Sequence, residues 1–556
     1  MPELPVDLPP VAVKPLTSLT GRIAFPLALA VIGAILLGLV LSILRLNSGT
    51  FIYSMDDAYI DLALSDQISH GNYGIEAGLH AAPASSILYP LLLAPASGTP
   101  LHPYLPLIIN SLALFATLVI IWRLFAHLRL AEDTFGIVAQ AIALLLLAVY
   151  LNLIAVVFTG FEHSLHIATV AACVYGLTLF LDKGKMPAWL PAVIVLAPLL
   201  RFEGLALSFA ALVVLALRGR WRTAVATFAL IVLLIGGFSA FLVSMGLPPL
   251  PSSVLTKSDV AANGISGAGA SLFQSIGQNV LGMDGIPVGA LLLVIGVALL
   301  ARCLLELPAW PWRWSSQALM ALLLVCLIGA HAVAGQFGWM NRYEDYALLG
   351  TALIGICLMR DKIRTVLSNK KTRLIYFCAT AVALSAFCSR YILSTWRVPI
   401  AANNIYEQQY QMHRFAVEFY KRPVAVNDLG WVGYHNPNYV LDLWGLGSEA
   451  ARKARLITKE PGWMDRLVQA HQIGVAMLYA QWFGDAIPPG WSRLGVLKGL
   501  HPSVAAAGDE VTFYSTSTEA TPDALAALRR FANAIGPAAH VEIFDPPISM
   551  GTQKSR

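Results

Sequence analysis

Beyond the first apolar stretch the chain reads Met55-Asp56-Asp57-Ala58-Tyr59-Ile60, and two adjacent carboxylates in a loop can divide a reaction between them. One takes a proton from a hydroxyl, while its neighbour orients that hydroxyl, holds a cation or raises its partner's pKa by like-charge repulsion. As ligands, Asp56 and Asp57 offer hard oxygens of the kind that a divalent cation, Mg or Mn, takes, although nothing in the sequence requires an ion. Arg201, Lys257 and Arg342, the last followed by Tyr343, are suited to an anionic leaving group. Arginine can grip a phosphate through two parallel hydrogen bonds, and lysine meets it as a point charge. Glu76, Glu162 and Glu203 are read as supporting carboxylates, Glu162 and Glu203 as fixing helix ends. Trp431, Tyr434 and Trp444 have the flat faces that stack on an acceptor sugar, or that fill the core of a small domain.

The elements that must position these groups are mostly membrane helices. Of 556 residues, 57% are apolar and 12% charged, where a soluble protein carries about 25% charged residues. A hydrocarbon core about 30 Å thick needs roughly 20 apolar residues as helix. Spans are expected near 23–44, 104–124, 135–158, 164–181, 187–200, 203–217, 223–247, 286–301, 316–335, 346–359 and 374–393. The first is read as an uncleaved anchor, and the run 86–97 as a helix lying on the outer surface. The charge distribution orients the set, because lysine and arginine favour cytoplasmic loops. With the N-terminus inside, the outer side up to residue 397 receives only Arg45, Arg201, Lys257, Arg342, Arg390 and Arg397.

The expected organisation is therefore a cytoplasmic tail 1–22, an all-α polytopic bundle of about eleven helices over 23–393 with a first outer loop at 45–103, and an outer domain over 394–556. In that last part, charge becomes denser and short β-rich runs at 423–426, 439–441, 473–478 and 511–514 alternate with helical stretches at 450–471 and 523–535, which predicts a small α/β domain. The Gly/Ser/Ala-rich run 261–282 reads as a mobile outer loop. No basic run interleaved with aromatics suggests nucleic acid. The six cysteines lie in or at the edge of apolar runs, without zinc spacing.

Several motifs in chain order resemble the GT-C class of membrane glycosyltransferases, in the branch that includes the mycobacterial terminal arabinofuranosyltransferases. They are the Asp56-Asp57-Ala58-Tyr59-Ile60 run, Gly71-Asn72-Tyr73-Gly74, Ser85-Ser86-Ile87-Leu88-Tyr89, Thr159-Gly160-Phe161-Glu162, Arg201-Phe202-Glu203-Gly204, Leu250-Pro251-Ser252-Ser253 with Lys257, Asn341-Arg342-Tyr343, and Asp428-Leu429-Gly430-Trp431 with Asp442-Leu443-Trp444. The likeness runs from residue 50 to about 455. It departs from the branch at Phe202, where proline is usual, and in lacking a proline soon after Tyr343.

The resemblance implies an inverting transfer of a sugar, arabinofuranose in the nearest branch, from a polyprenyl-phosphate donor. The acceptor would be a cell-envelope glycan, glycolipid or protein at the outer face of the bacterial inner membrane. Asp57 or Asp56 would be the base, and Arg201, Lys257, Arg342 and Tyr343 would hold the donor phosphate. The alternative is a transporter or flippase for a lipid-linked or polar substrate. Coupled transporters place ionisable side chains deep in the membrane, whereas here those groups gather at the ends of the expected spans.

Overall fold

The computed structural model describes residues 19–130, 133–257, 276–277, 288–306 and 315–544. Most of the 261–282 run and of the N-terminal tail lies outside these residues, and so does the Lys257 side chain.

All eleven expected stretches contain helix. Five helices are long and apolar enough to cross a membrane alone: Arg22–Leu46, His102–His127, His163–Lys183, Trp221–Ser244 and Ser316–Ala334. A sixth is added if Arg373–Phe387 and Ser389–Tyr420, bent by 65° at their junction, form one broken span. Thr134–Tyr150, Leu190–Leu200, Gly204–Leu217, Leu292–Leu305 and Asp345–Leu358 are apolar but shorter. The chain is thus a multi-pass membrane protein with at least five helices of spanning length among the described residues.

Local chemistry sets the helix ends. Pro106 occupies the first turn of the helix Leu105–His127, where its missing N–H costs nothing. Asp133 accepts from the Gly136 amide at 2.8 Å as an N-cap, and Gly184, at φ 67°, closes the helix His163–Lys183 in the left-handed conformation. That helix is mostly buried within the bundle, whereas Trp221–Ser244 is mostly exposed, its Val225, Phe228, Val232 and Leu233 facing outward as a lipid-facing helix requires.

The C-terminal domain is a six-stranded mixed sheet in the order β2-β1-β3-β5-β4-β6, with strands at Val424–Val426, Val440–Asp442, Val475–Leu478, Ser492–Lys498, Glu510–Ser515 and His540–Ile543 taken as β1 to β6. β1 pairs in parallel with β2 and β3, and the β3-β5-β4-β6 half is antiparallel. The first three strands are buried on both faces and read as continuous apolar runs. One face, with the helix Thr521–Ala534 and its Leu528 and Phe531, shares a core with the first outer loop through Tyr59, Leu62 and Tyr89. Loop and domain are therefore one packed unit on one end of the bundle.

Candidate active site

Asp56 and Asp57 sit at the start of the helix Ala58–Ser69, in a turn held by Ser54, whose amide donates to the Phe158 carbonyl at 2.9 Å. Asp57 occupies the N-cap position, yet its side chain makes no cap hydrogen bond. Its Oδ2 instead accepts from Arg342 Nη2 at 3.1 Å. The two carboxylates meet different surroundings. Asp56 is 4% exposed and accepts from the Trp431 amide at 2.8 Å, whereas the Asp57 side chain is 22% exposed. Burial, then the neighbouring charges of Asp428 and Asp57, push the Asp56 carboxyl well above the usual carboxylate range, against the opposing pull of the Trp431 amide.

Trp431 is the second residue of a short helix of the C-terminal domain, Gly430–Gly433, which lies directly on Asp56. A Cβ on Gly430 would come 2.1 Å from the Asp56 carbonyl oxygen and 2.5 Å from its Oδ2, so only glycine permits this approach. Gly430→Ala is accordingly expected to loosen the domain from the loop, lowering activity at least tenfold and speeding limited proteolysis of the tail while far-UV helix content stays unchanged. Wild-type activity and protease resistance would show that the close approach is dispensable.

Arg342 is presented by an unusual backbone. Gly338, Trp339, Met340 and Asn341 all have positive φ, and three of them carry side chains, which costs roughly 1–2 kcal/mol each in a left-handed turn. Asn152 holds the turn by donating to the Met340 and Asn341 carbonyls at 2.7 and 3.3 Å, and Asn341 donates to Ser394 Oγ at 2.6 Å. Strain of this kind concentrates where a side chain must be aimed. The guanidinium lies over the rings of Phe161 and Tyr343 at 4.5 and 4.8 Å and donates to the Tyr343 hydroxyl at 2.9 Å. Its Nε and Nη1 are buried with no hydrogen-bond partner.

These groups line one cavity of about 430 Å³ between bundle and domain, with Asp56, Asp57 and Asp428 on its walls together with Arg342 and Tyr343. Trp339, Trp444 and Trp482 supply flat apolar surface. Asp442 sets the turn carrying Trp444, accepting from the amides of Trp444, Leu446 and Gly447 at 2.8, 2.6 and 2.7 Å. Trp444 packs against Trp482 with ring centroids 4.6 Å apart, and the Arg455 guanidinium lies 3.7 Å from the Trp444 ring centroid. Thr256 also lines the cavity, at the end of the helix Ser252–Lys257 that Ser252 ties to Ala82 and Leu446 by hydrogen bonds of 2.9 and 2.6 Å.

The remaining expected residues lie elsewhere. Arg201 does not line the cavity: it donates to Glu162 at 2.7 Å and Glu203 at 2.6 Å, and Ser85 donates to Glu162 at 3.1 Å. Glu162, Arg201 and Glu203 thus form a buried knot joining the first outer loop to two helix ends. Trp431 and Tyr434 pack on Tyr59 at 4.2 and 6.0 Å, inside the seam between loop and domain. Sequence reasoning missed Asp428 and Trp482 as members of the cavity, although Asp428 opens a motif already quoted above.

Glu76 serves that seam. It accepts from the Val440 amide at 3.1 Å, at the start of β2, and burial pushes its carboxyl from 4.5 up to about 7. A carboxyl whose folded pKa is raised holds its proton more tightly when folded, so the stability it contributes is lost as pH climbs from about 4.5 through 7. Glu76→Gln, which keeps the acceptor oxygen, is expected to raise Tm at pH 8 and leave it unchanged near pH 4.5, within a ceiling of about 3 kcal/mol. A variant Tm at or below wild type at pH 8 would contradict this.

Asp56, Asp57 and Asp428 converge on the cavity with oxygen donors only, and the buried Asp56 Oδ2 lacks a hydrogen-bond partner. Among the described residues these three carboxylates do not bring ligand atoms within 4.8 Å of one another, so they make no ready ligand set for a cation, whereas Asp66, His102 and His435 do; the positive charge facing Asp57 is that of Arg342.

Residues 403–514 match the model of a domain of unknown function, DUF8728. No curated protein matches the chain in sequence. Among solved structures, the oligosaccharyltransferase of Archaeoglobus fulgidus in complex with Zn and sulfate is 12% identical, with TM-score 0.45, over 87% of this chain and 73% of that one. The same archaeal enzyme tethered to an acceptor peptide containing the NVT sequon gives 12% and 0.46, over 88% and 74%. Its complex with an inhibitory peptide and a dolichol-phosphate gives 12% and 0.44, over the same shares.

Proposed function

We propose that the chain is a membrane glycosyltransferase of the GT-C type, moving a sugar from a polyprenyl-phosphate donor to a hydroxyl acceptor. The reading rests on one observation above all: a single cavity where bundle meets domain holds a carboxylate-arginine pair and an aromatic wall. The donor phosphate takes the unpartnered Nε and Nη1 of Arg342 and the Tyr343 hydroxyl, competing with Asp57 for the guanidinium. Asp57, freed from its ion pair, accepts the proton of the acceptor hydroxyl as that oxygen bonds to the anomeric carbon. The bond from that carbon to the phosphate oxygen breaks on the opposite face, and polyprenyl phosphate leaves with the electron pair, inverting the centre. Asp56, buried under Trp431, keeps the loop in register. Trp444 and Trp482 offer the surface on which an acceptor sugar stacks.

The donor sugar follows the sequence resemblance alone, which favours arabinofuranose, with the acceptor a cell-envelope glycan, glycolipid or protein. The same resemblance and the charge asymmetry of the loops put the cavity at the outer face of a bacterial inner membrane. Purified protein offered a panel of polyprenyl-phosphate pentoses and hexoses is expected to release polyprenyl phosphate with at least one donor and acceptor, and Asp57→Asn to release it at least about a hundredfold more slowly. No release with any pair, or an Asp57→Asn variant as active as wild type, would overturn the assignment.

A further inference from the structure

Outside the cavity, one cluster of ligand-type side chains is assembled from three separate parts of the chain. Asp66 lies on the helix Ala58–Ser69, His102 stands where the first outer loop turns into the next long helix, and His435 follows the short helix Gly430–Gly433 of the C-terminal domain. One ligand atom from each lies within 4.8 Å of the others. Asp66 is nine residues further along its helix than Asp57, roughly 13 Å at 1.5 Å per residue, so this cluster is distinct from the cavity.

The hydrogen bonds around His102 accommodate the tautomer that keeps a lone pair on Nδ1. Ser65 Oγ has a single proton and gives it to the Leu62 carbonyl at 2.8 Å. With the proton so placed, the 2.8 Å contact between Ser65 Oγ and His102 Nε2 is one in which Nε2–H donates. That leaves Nδ1 unprotonated, 3.1 Å from the Tyr434 hydroxyl. A ring fixed by a hydrogen bond at one nitrogen, with its lone pair at the other, is the arrangement metal-bound histidines adopt. Asp66 is likewise oriented, by a hydrogen bond from Ser97. His435 is stacked on Tyr434 at 3.9 Å and held at φ 52°, and it is the exposed member through which an ion and a completing water would enter.

We infer that Asp66, His102 and His435 form a zinc site that fastens the C-terminal domain to the first outer loop. Two imidazoles and a carboxylate suit Zn²⁺, which accepts three protein ligands and a water, better than they suit Mg²⁺ or Ca²⁺, which prefer all-oxygen sets. The Tyr434 hydroxyl would give up its contact with Nδ1 and turn to the bound carboxylate or water.

The test uses the full chain, purified in detergent with a tag free of histidine, loaded with one equivalent of zinc and dialysed. Elemental analysis is expected to find about one zinc per chain in the wild type, in Tyr434→Phe and in Asp57→Asn, and less than a tenth of that in His435→Ala and Asp66→Asn. A chelator is expected to lower Tm by several degrees in the wild type and to leave His435→Ala unmoved. Absence of zinc in the loaded wild type, retention of it in His435→Ala, or its loss from Asp57→Asn alone would overturn the site. The last result would move the ion to the carboxylate cavity. Donor turnover is not among the readouts, so the zinc site stands or falls independently of the proposed reaction.

Discussion

Asp57→Asn is expected to lower kcat for sugar transfer by about a hundred- to ten-thousand-fold while leaving the KM for the donor within a few-fold of wild type. Those factors are what a positioned general base contributes, and the asparagine is nearly isosteric, so donor binding survives. The two carboxylates are not interchangeable. Asp57 is the partly exposed one and faces the guanidinium of Arg342, whereas Asp56 is buried against the Trp431 amide. Asp56→Asn retains an oxygen for that amide and removes a charge that burial already disfavours. Its kcat should fall by less than tenfold, and its Tm should hold or rise. Equal losses in the two variants would mean both carboxylates act on the acceptor, and a loss confined to Asp56→Asn would exchange their roles. Steady-state kinetics with one donor at saturating acceptor reads all three outcomes.

Arg342→Gln is expected to cost about a hundred- to thousand-fold in kcat/KM, the range found when one preorganised donor to a developing negative charge is removed. Arg342→Lys should recover only part of that, because an ammonium cannot present two parallel N–H groups to one phosphate or lie flat on the rings of Phe161 and Tyr343. The informative experiment is the double variant. Asp57 and Arg342 are hydrogen-bonded, so their effects should fall well short of additive, with Asp57→Asn/Arg342→Gln little worse than Asp57→Asn alone. Additive losses would mean that the ion pair plays no part in turnover and that Arg342 acts only on the donor.

The apolar stretches and the early strands of the tail were legible because both depend on local composition, and a run such as Val424-Ala-Val426 needs no distant partner to be read. β4 and β6 escaped notice for physical reasons. β4 carries Arg493 and Gly495 and its pairing with β5 shifts register between them, while β6 is an edge strand of only four residues in which Val541 and Ile543 alternate with His540 and Glu542, too short a run to read alone. In the site, the types of residue were legible and their company was not. Arg201 reads from the sequence as a cation with Glu203 beside it, but Glu162, 39 residues earlier, also takes its charge. Trp431 and Tyr434 share the aromatic character of Trp444, yet only Trp444 reaches the cavity, since the other two follow the short helix that docks on Asp56. Asp428 was hidden by distance: what makes it a third carboxylate of the cavity is a fold that returns to the loop after more than 370 intervening residues.

That separation also sets a clock. Asp56 is bonded to Trp431, 375 residues later, so during synthesis the Asp56-Asp57 turn is made long before the strand-and-helix unit that covers it. At usual elongation rates the interval is on the order of tens of seconds. Throughout it the nascent chain has the Asp56-Asp57 turn but not Trp444 or Trp482, and Asp56 lacks the Trp431 amide that caps it. A ribosome that stalls or terminates early therefore leaves behind a membrane stub whose Asp56-Asp57 turn is uncovered and lacks the walls that the C-terminal domain supplies.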